Sequence, residues 1–460
     1  MVPTDYLVIG SGASGLAFAD ALVEERSDVE LTLIDRRRGP GGHWLDAYPF
    51  VRLHTPSAYY GVNSLVLGED RIDQCGENAG FYERATGAEV REYFAEVASR
   101  LTRTGRVHML TEHEHLGSGE DGERVRDLRT GAVHEVCVRR KLVDARYLEA
   151  SIPATHTPSF DIAAGARLLP VNDLPAVARP AARYTVLGSG KTAVDACTWL
   201  LANDVAPDRI RWVRPRDAWF NHRRHFQPLA LVGEIMAGIA LDAEAAAEAA
   251  DIDDLFDRLQ ESGRLIRIDP SARATMYRLT MLGPAELDAV RQIEDVIRLG
   301  YVRRIESDRI VLERGEIDVG PDTLNVDCTA HGLCNAPATP IFQDGRIILQ
   351  QVRQNSPTFN AALIAFVEAH RDDDVEKNRL CPPNPYPSSI DDWPGMSCRT
   401  WQVERRWLRE QDVSAWVAQS RLNLLRGLPD QAAEPSVKAA MERFLTHVGP
   451  AIERLQQLAV

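Results

Sequence analysis

The stretch Val8-Ile9-Gly10-Ser11-Gly12-Ala13-Ser14-Gly15 follows a short apolar run from Tyr6 and leads into an apolar helical pattern over residues 13–24. Strand, glycine turn and helix in that order make a phosphate cradle. Gly10 permits the tight turn, Gly12 lets the backbone approach a pyrophosphate, and Gly15 lets the helix settle on the strand. The helix then aims the positive end of its dipole at the phosphates. A second strand, 31–34, ends in Asp35, about 20 residues beyond Gly15, where a carboxylate reaches a ribose hydroxyl.

The chain spells the same device again at Val186-Leu187-Gly188-Ser189-Gly190-Lys191-Thr192-Ala193. Residues 183–187 read as a buried strand and 192–201 as the helix. The next strand, 210–213, ends in Arg214-Pro215-Arg216 instead of an acid. A carboxylate there would repel a 2′-phosphate, whereas arginine forks bind one. The second cradle is therefore expected to hold NADPH through Gly188, Ser189, Gly190, Lys191 and Thr192, with Arg214 and Arg216 on the 2′-phosphate. Lys191 is expected to add a contact to the pyrophosphate or the 2′-phosphate. The basic run from Trp219 to His225 reads equally as groove lining or as a solvated patch. Two cradles imply two dinucleotides face to face, the arrangement that passes a hydride between them.

Downstream of the first cradle lie Gly39-Pro40-Gly41-Gly42-His43-Trp44 and Tyr48-Pro49-Phe50-Val51-Arg52-Leu53-His54. This stretch resembles the GGxW…YP segment of class B flavoprotein monooxygenases, which include flavin-containing monooxygenases, Baeyer–Villiger monooxygenases and N-hydroxylases. The resemblance covers most of residues 1–370. It implies FAD in the first cradle, held by Gly10, Gly12, Ala13, Ser14, Gly15, Asp35 and Arg36, with Gly42 and Trp44 along the cofactor. His54 falls where relatives place an Asn or Asp beside the flavin ring. Related flavoproteins also bring a late helix N-terminus to the flavin pyrimidine, which puts Thr358 at the cofactor. Between the two domains the family carries FxGxxxHxxx(W/Y). Here Phe160 is present in that linker, the glycine is displaced to Gly165, and the histidine is missing, since His156 precedes the Phe. No arginine matches the one Baeyer–Villiger enzymes use to stabilise an oxygenated flavin.

The fold class expected is α/β, with two Rossmann-like domains of the FAD/NAD(P)-binding type and a C-terminal helical region. Residues 1–150 form the first part of the FAD domain, with a β-meander at about 107–143 where Gly117-Ser118-Gly119, Asp121-Gly122 and Thr130-Gly131 punctuate short alternating runs. Residues 151–335 form the NADPH domain, with an Ala- and acid-rich helical insertion at about 241–300 and closing strands at 310–313 and 324–327. Residues 336–375 return to the FAD domain. Residues 376–460 open with a Pro-rich linker and continue as amphipathic helices, read as a lid, a substrate wall or the surface of a homodimer.

The 460 residues suffice for two or three full cores, and the net charge of −14 argues against a nucleic-acid or acidic-membrane binder. Seven scattered cysteines contain no CxxC pair, so neither a disulfide framework nor a metal site is expected; Cys328 and Cys334 are read as structural thiols. No targeting segment and no run of about 20 apolar residues is found, so a cytoplasmic enzyme is expected.

Reduced flavin has three fates. It activates O2 and oxygenates a small organic substrate through a flavin C4a-(hydro)peroxide, the fate the paired motifs and the Gly42–Trp44 segment favour. It passes electrons to a quinone-like acceptor. Or the protein binds nucleotides without catalysis. Within the first, N- or S-oxygenation needs fewer dedicated residues than ketone oxygenation. No general acid or base is assigned. His43, Arg52 and His54 are candidates for tuning a proton near the flavin.

Overall fold

Tyr6, Leu7, Val8 and Ile9 are buried on both faces, as a strand inside a parallel sheet must be. Strand Thr4–Ile9 lies between Leu31–Asp35 and Val138–Asp144, with Val8 opposite Leu33 on one side and Val143 on the other. The computed structural model describes residues 3–120, 122–333, 336–354 and 356–459. Its six-stranded sheet runs Phe342–Gln343, Arg346–Ile348, Val138–Asp144, Thr4–Ile9, Leu31–Asp35, Val107–Thr111. The chain leaves this sheet at Asp144 and rejoins it at Arg346–Ile348, which pairs parallel to Val138–Asp144. What lies between forms a second lobe.

The first nucleotide helix, Ala13–Glu25, covers one face of the sheet, and the return helix, Pro357–His370, lies against it. On the other face an antiparallel meander of three strands, His113–Ser118, Glu123–Asp127 and Val133–Val136, packs Val125 and Val136 onto Leu7, Ile9 and Ile34. The meander is narrower than its sequence outline. Residues 107–111 and 138–144 pair parallel to Leu31–Asp35 and Thr4–Ile9 and belong to the main sheet.

The second lobe has its own parallel sheet of five strands: Val296–Ile297, Ile210–Val213, Arg183–Leu187, Thr323–Asp327 and Leu168–Pro170. Helix Lys191–Ala202 follows its glycine turn, and the fully buried Trp212 donates its indole N–H to the Gly188 carbonyl at 2.7 Å, fixing that turn. Of the two closing strands expected, Thr323–Asp327 joins this sheet. Arg309–Leu312 does not; it sits in a separate four-stranded sheet.

The 241–300 stretch is only half helical. Helices Val232–Glu248 and Ile252–Glu261 give way to strands Leu265–Arg267 and Ala274–Leu282, which flank Asp217–His222 in a three-stranded sheet. The helices are not merely solvated. Ala246, Leu255, Phe256 and Leu259 are buried against Trp393, Trp401 and Leu455 of the C-terminal region. That region is a buttress: helix Pro435–Leu458 runs along Val232–Glu248, while Trp407 and Trp416 pack on Phe359 of the return helix. Among the described residues no helix is long and apolar enough to cross a membrane.

Candidate functional site

Both glycine turns open on one cavity of about 730 Å³ between the lobes. Three helices aim their N-termini at it: Ala13–Glu25, Lys191–Ala202 and Pro357–His370. None has a side-chain cap, at Gly12, Gly190 or Ser356. Their leading N–H groups therefore lack intrahelical partners and lack capping oxygens as well. The hydroxyls of Ser189 and Ser356, both on the cavity wall, are buried without a hydrogen-bond partner. An unpartnered buried polar group is costly, so these donors mark where a polar ligand is satisfied.

The cradle is also shaped for close approach. A Cβ on Gly15 would stand 2.0 Å from the Gly10 carbonyl oxygen, and one on Gly42 would stand 2.9 Å from the Gly12 Cα. The Gly41-Gly42 segment thus lies directly on the first glycine turn, where FAD phosphates would rest. Uncapped helix ends, orphaned hydroxyls and a backbone-lined floor fit dinucleotides at both cradles.

Gly10, Gly12, Ala13, Ser14, Asp35, Gly42, Trp44 and Thr358 line the cavity, as do His43, Arg52 and His54; Gly15 does not, and packs against the Gly10 carbonyl. Asp35 is held at the end of its strand by Ser11, whose amide and hydroxyl donate at 2.8 and 3.0 Å, and by the Arg37 amide at 2.9 Å. Trp44 donates its indole N–H to the Tyr60 hydroxyl at 2.8 Å. Arg36 departs from its expected place: its side chain is exposed and paired with Glu149, and Arg37 takes the cavity wall instead.

On the second cradle Gly188, Ser189, Gly190, Lys191, Thr192 and Arg216 line the cavity. Arg214 does not join them. Its guanidinium lies over the Trp212 ring, 5.0 Å from the centroid, and pairs with the buried Asp217. Lys191 is likewise engaged, between Asp195 and Glu286. One lining segment gave no sequence signal. Leu279 sits in strand Ala274–Leu282 with φ +56°, a strained conformation for a residue with a Cβ. Strand alternation breaks there, and Arg278, Leu279, Thr280 and Met281 all reach the cavity. The C-terminal helices do not wall this space; the linker ahead of them does, through Tyr386 and Ser388.

Burial pushes the His54 imidazole down to about 4, with Lys191 adding to the effect, and burial with Arg37 does the same for His43. Neither ring therefore switches charge near neutral pH. Both are held neutral against an unfolded value of about 6.5, so the stability they contribute is complete above that pH and is lost as pH falls towards 4. His54→Asn is expected to flatten the decline of the melting temperature between about pH 7 and pH 5. A decline as steep as in the parent would show that the ring is not held neutral. Cys328, also on the cavity wall, is buried, and desolvation raises its thiol well above the usual range, which suits an inert structural group. Cys334 lies outside the described residues.

Residues 8–62 match the family described as an NAD(P)-binding Rossmann-like domain. A stretch of 105 residues is 28% identical to "Probable FAD-binding monooxygenase AlmA" of Acinetobacter sp, covering 23% of this chain and 19% of that protein. Among solved structures, oxidized steroid monooxygenase bound to NADP superposes with a TM-score of 0.51 at 14% identity, over 80% of this chain and 85% of that one. Two dinucleotide-type lobes around one cavity are thus the fold this chain shares with that solved structure. The chain is 42% identical over 461 residues to "Uncharacterized protein Rv2000" of Mycobacterium tuberculosis (strain ATCC 25618 / H37Rv), spanning 99% of this chain and 84% of that protein, and belongs to its family.

Proposed function

We propose that this protein is an NADPH-dependent flavoprotein monooxygenase acting on a small organic molecule. One observation carries the reading: two glycine cradles, each ending in an uncapped helix N-terminus, open on the same cavity. FAD would lie along Gly10–Ser14, Asp35, Gly42 and Trp44, with the return helix at Thr358 placing its dipole beside the flavin pyrimidine. NADPH would lie along Gly188, Ser189, Gly190 and Thr192. When bound, FAD supplies the capacity to take a hydride from NADPH and to activate O2. The chain's own part is to orient the two rings and to exclude water. Phe160, Met276, Leu279, Met281 and Tyr386 give the chamber an apolar wall for that purpose.

The reading is tested by mixing NADPH-reduced holoenzyme with O2. A spectral transient between reduced and oxidised flavin, with little free hydrogen peroxide released, supports oxygenation. Direct reoxidation, with electrons passed readily to a quinone, supports the reductase reading instead. That alternative draws on the missing histidine of the Phe160–Pro170 linker.

Nucleotide preference rests on Arg216. It lines the cavity, donates to the Ser388 carbonyl at 3.1 Å, and pairs with no carboxylate among the described residues. Arg216→Ala is expected to raise KM for NADPH by about 10- to 100-fold, the worth of a charge-assisted hydrogen bond, while NADH is nearly unaffected. Equal effects on both nucleotides would remove Arg216 from 2′-phosphate recognition. Arg214→Ala is expected to cost stability instead, because it strips the buried Asp217 of one of its two arginines.

A further inference from the structure

Lys191, Asp195 and Trp199 are spaced four residues apart and form one stripe along helix Lys191–Ala202. The first lobe docks on that stripe. Tyr48 donates its hydroxyl to the Asp195 carboxylate at 2.6 Å, and Phe50 stacks on Trp199 with ring centroids 5.3 Å apart. Tyr48 and Phe50 also touch each other, at 4.9 Å, so the Tyr48-Pro49-Phe50 segment meets the helix as one unit. The second lobe supplies the counterweight. Lys191 Nζ lies between Asp195 and Glu286, at 2.9 Å from the latter, and Arg84 of the first lobe approaches Glu286 to 3.9 Å. Lys191 and Glu286 are both almost fully buried.

This cluster sits at the N-terminus of the second nucleotide helix, where a pyrophosphate would lie, and His54 faces it from the cavity wall. A lysine serving as a phosphate ligand would leave its ammonium open to the cradle. Here two carboxylates hold it back, and one of them is bonded across the lobe boundary. Exposed ion pairs slide, whereas a buried network in which each member is partnered has one geometry. Hydride transfer is sensitive to such geometry: a misplacement of about 1 Å costs on the order of 100-fold.

We propose that Tyr48, Asp195 and Lys191 form a positioning device that fixes the second nucleotide lobe against the first, so that Lys191 acts on hydride transfer through lobe geometry and not by binding nucleotide phosphate. The inference rests on the reading of the two cradles given above. It is tested in holoenzyme carrying Tyr48→Phe, Lys191→Met or Lys191→Arg. Three quantities are read: the dissociation constant of NADP⁺ from oxidised protein, the anaerobic rate of flavin reduction at saturating NADPH, and amide exchange in residues 46–50 and 191–199. Tyr48→Phe and Lys191→Met are expected to slow reduction by about tenfold or more, to leave NADP⁺ affinity within about twofold, and to quicken exchange in both segments. Lys191→Arg, which keeps a cation between the two carboxylates, is expected to recover most of the rate.

A tenfold loss of NADP⁺ affinity in Lys191→Met, with its reduction rate intact, would make Lys191 a phosphate ligand and overturn the proposal. So would a wild-type reduction rate in Tyr48→Phe, which removes a single hydroxyl and decides the matter if Lys191→Met does not fold. If the parent holoenzyme takes no hydride from NADPH, the function proposed above fails. The exchange measurement still judges the device in that case, and unchanged exchange in Tyr48→Phe would overturn it.

Discussion

Gly15→Ala is expected to give protein that no longer retains flavin through purification. The added methyl would stand 2.0 Å from the Gly10 carbonyl oxygen and 3.1 Å from its carbon. Both are backbone atoms of the turn that forms the cradle, so no side chain can swing aside. Either the helix Ala13–Glu25 lifts away from strand Thr4–Ile9 or the Gly10 peptide rotates. Each movement displaces the N–H groups of Ala13 and Ser14 that face the cavity. Overpacking of this kind costs about 1–3 kcal/mol, and if that falls on the bound state it weakens FAD about 5- to 150-fold. The measurement is the flavin-to-protein absorbance ratio, with the melting temperature before and after added FAD. Gly39→Ala supplies the comparison: a Cβ there meets nothing within 4 Å, and its flavin content is expected to match the parent. If Gly15→Ala stayed as yellow as Gly39→Ala, the first turn would not be the flavin cradle.

The same steric logic explains why the cradles were legible in the sequence. Gly15 meets the Gly10 carbonyl five residues back, and Gly10 and Gly188 turn the chain at φ +104° and +126°; such constraints are written locally. Asp35 was legible for a similar reason, since strand length fixes its distance from the turn. The arginines misled because a cation's partner is not local in the same sense. Arg214 looked free, yet Asp217 captures it only after the chain has turned into strand Asp217–His222. Arg36 and Arg37 are adjacent in sequence and both reach Glu149, yet only Arg37, which also holds Asp46, lines the cavity. The 265–282 strands were hidden by the acidic helices before them, and the kink at Leu279 answers to a register shift opposite Trp219 and Asn221. The Lys191–Asp195–Trp199 stripe carried no reading in the sequence. Its meaning depended on Tyr48 and Glu286, far away in the chain, and only the assembled lobes bring them together.

Glu286→Gln is expected to produce the largest loss of stability of any single charge change. Burial alone would raise this carboxyl, but Lys191, Arg223 and Arg84 outweigh it and hold Glu286 ionised far below the usual range. The carboxylate also accepts the Gly283 amide at 2.8 Å, starting helix Pro284–Val290. Neutralising it leaves Arg223, which is fully buried, without any carboxylate within 4 Å among the described residues. Breaking a buried pair from one side costs about 3–5 kcal/mol, because the remaining charge stays desolvated. For a lobe of this size that corresponds to a melting temperature lower by about 6–20 °C. The pH dependence gives an independent sign. The folded carboxyl titrates below its unfolded value of about 4.3, so its contribution is complete above that pH and is lost as pH falls through and below it. The gap between parent and variant should therefore be widest near neutral pH and should narrow in acid. Glu89→Gln sets the scale: Glu89 pairs with Thr86 in an exposed helix cap, and its replacement is expected to cost only about 0.5–1 kcal/mol. A Glu286→Gln variant that melted within a degree or two of Glu89→Gln, with a gap independent of pH, would show that the three cations do not depend on this carboxylate.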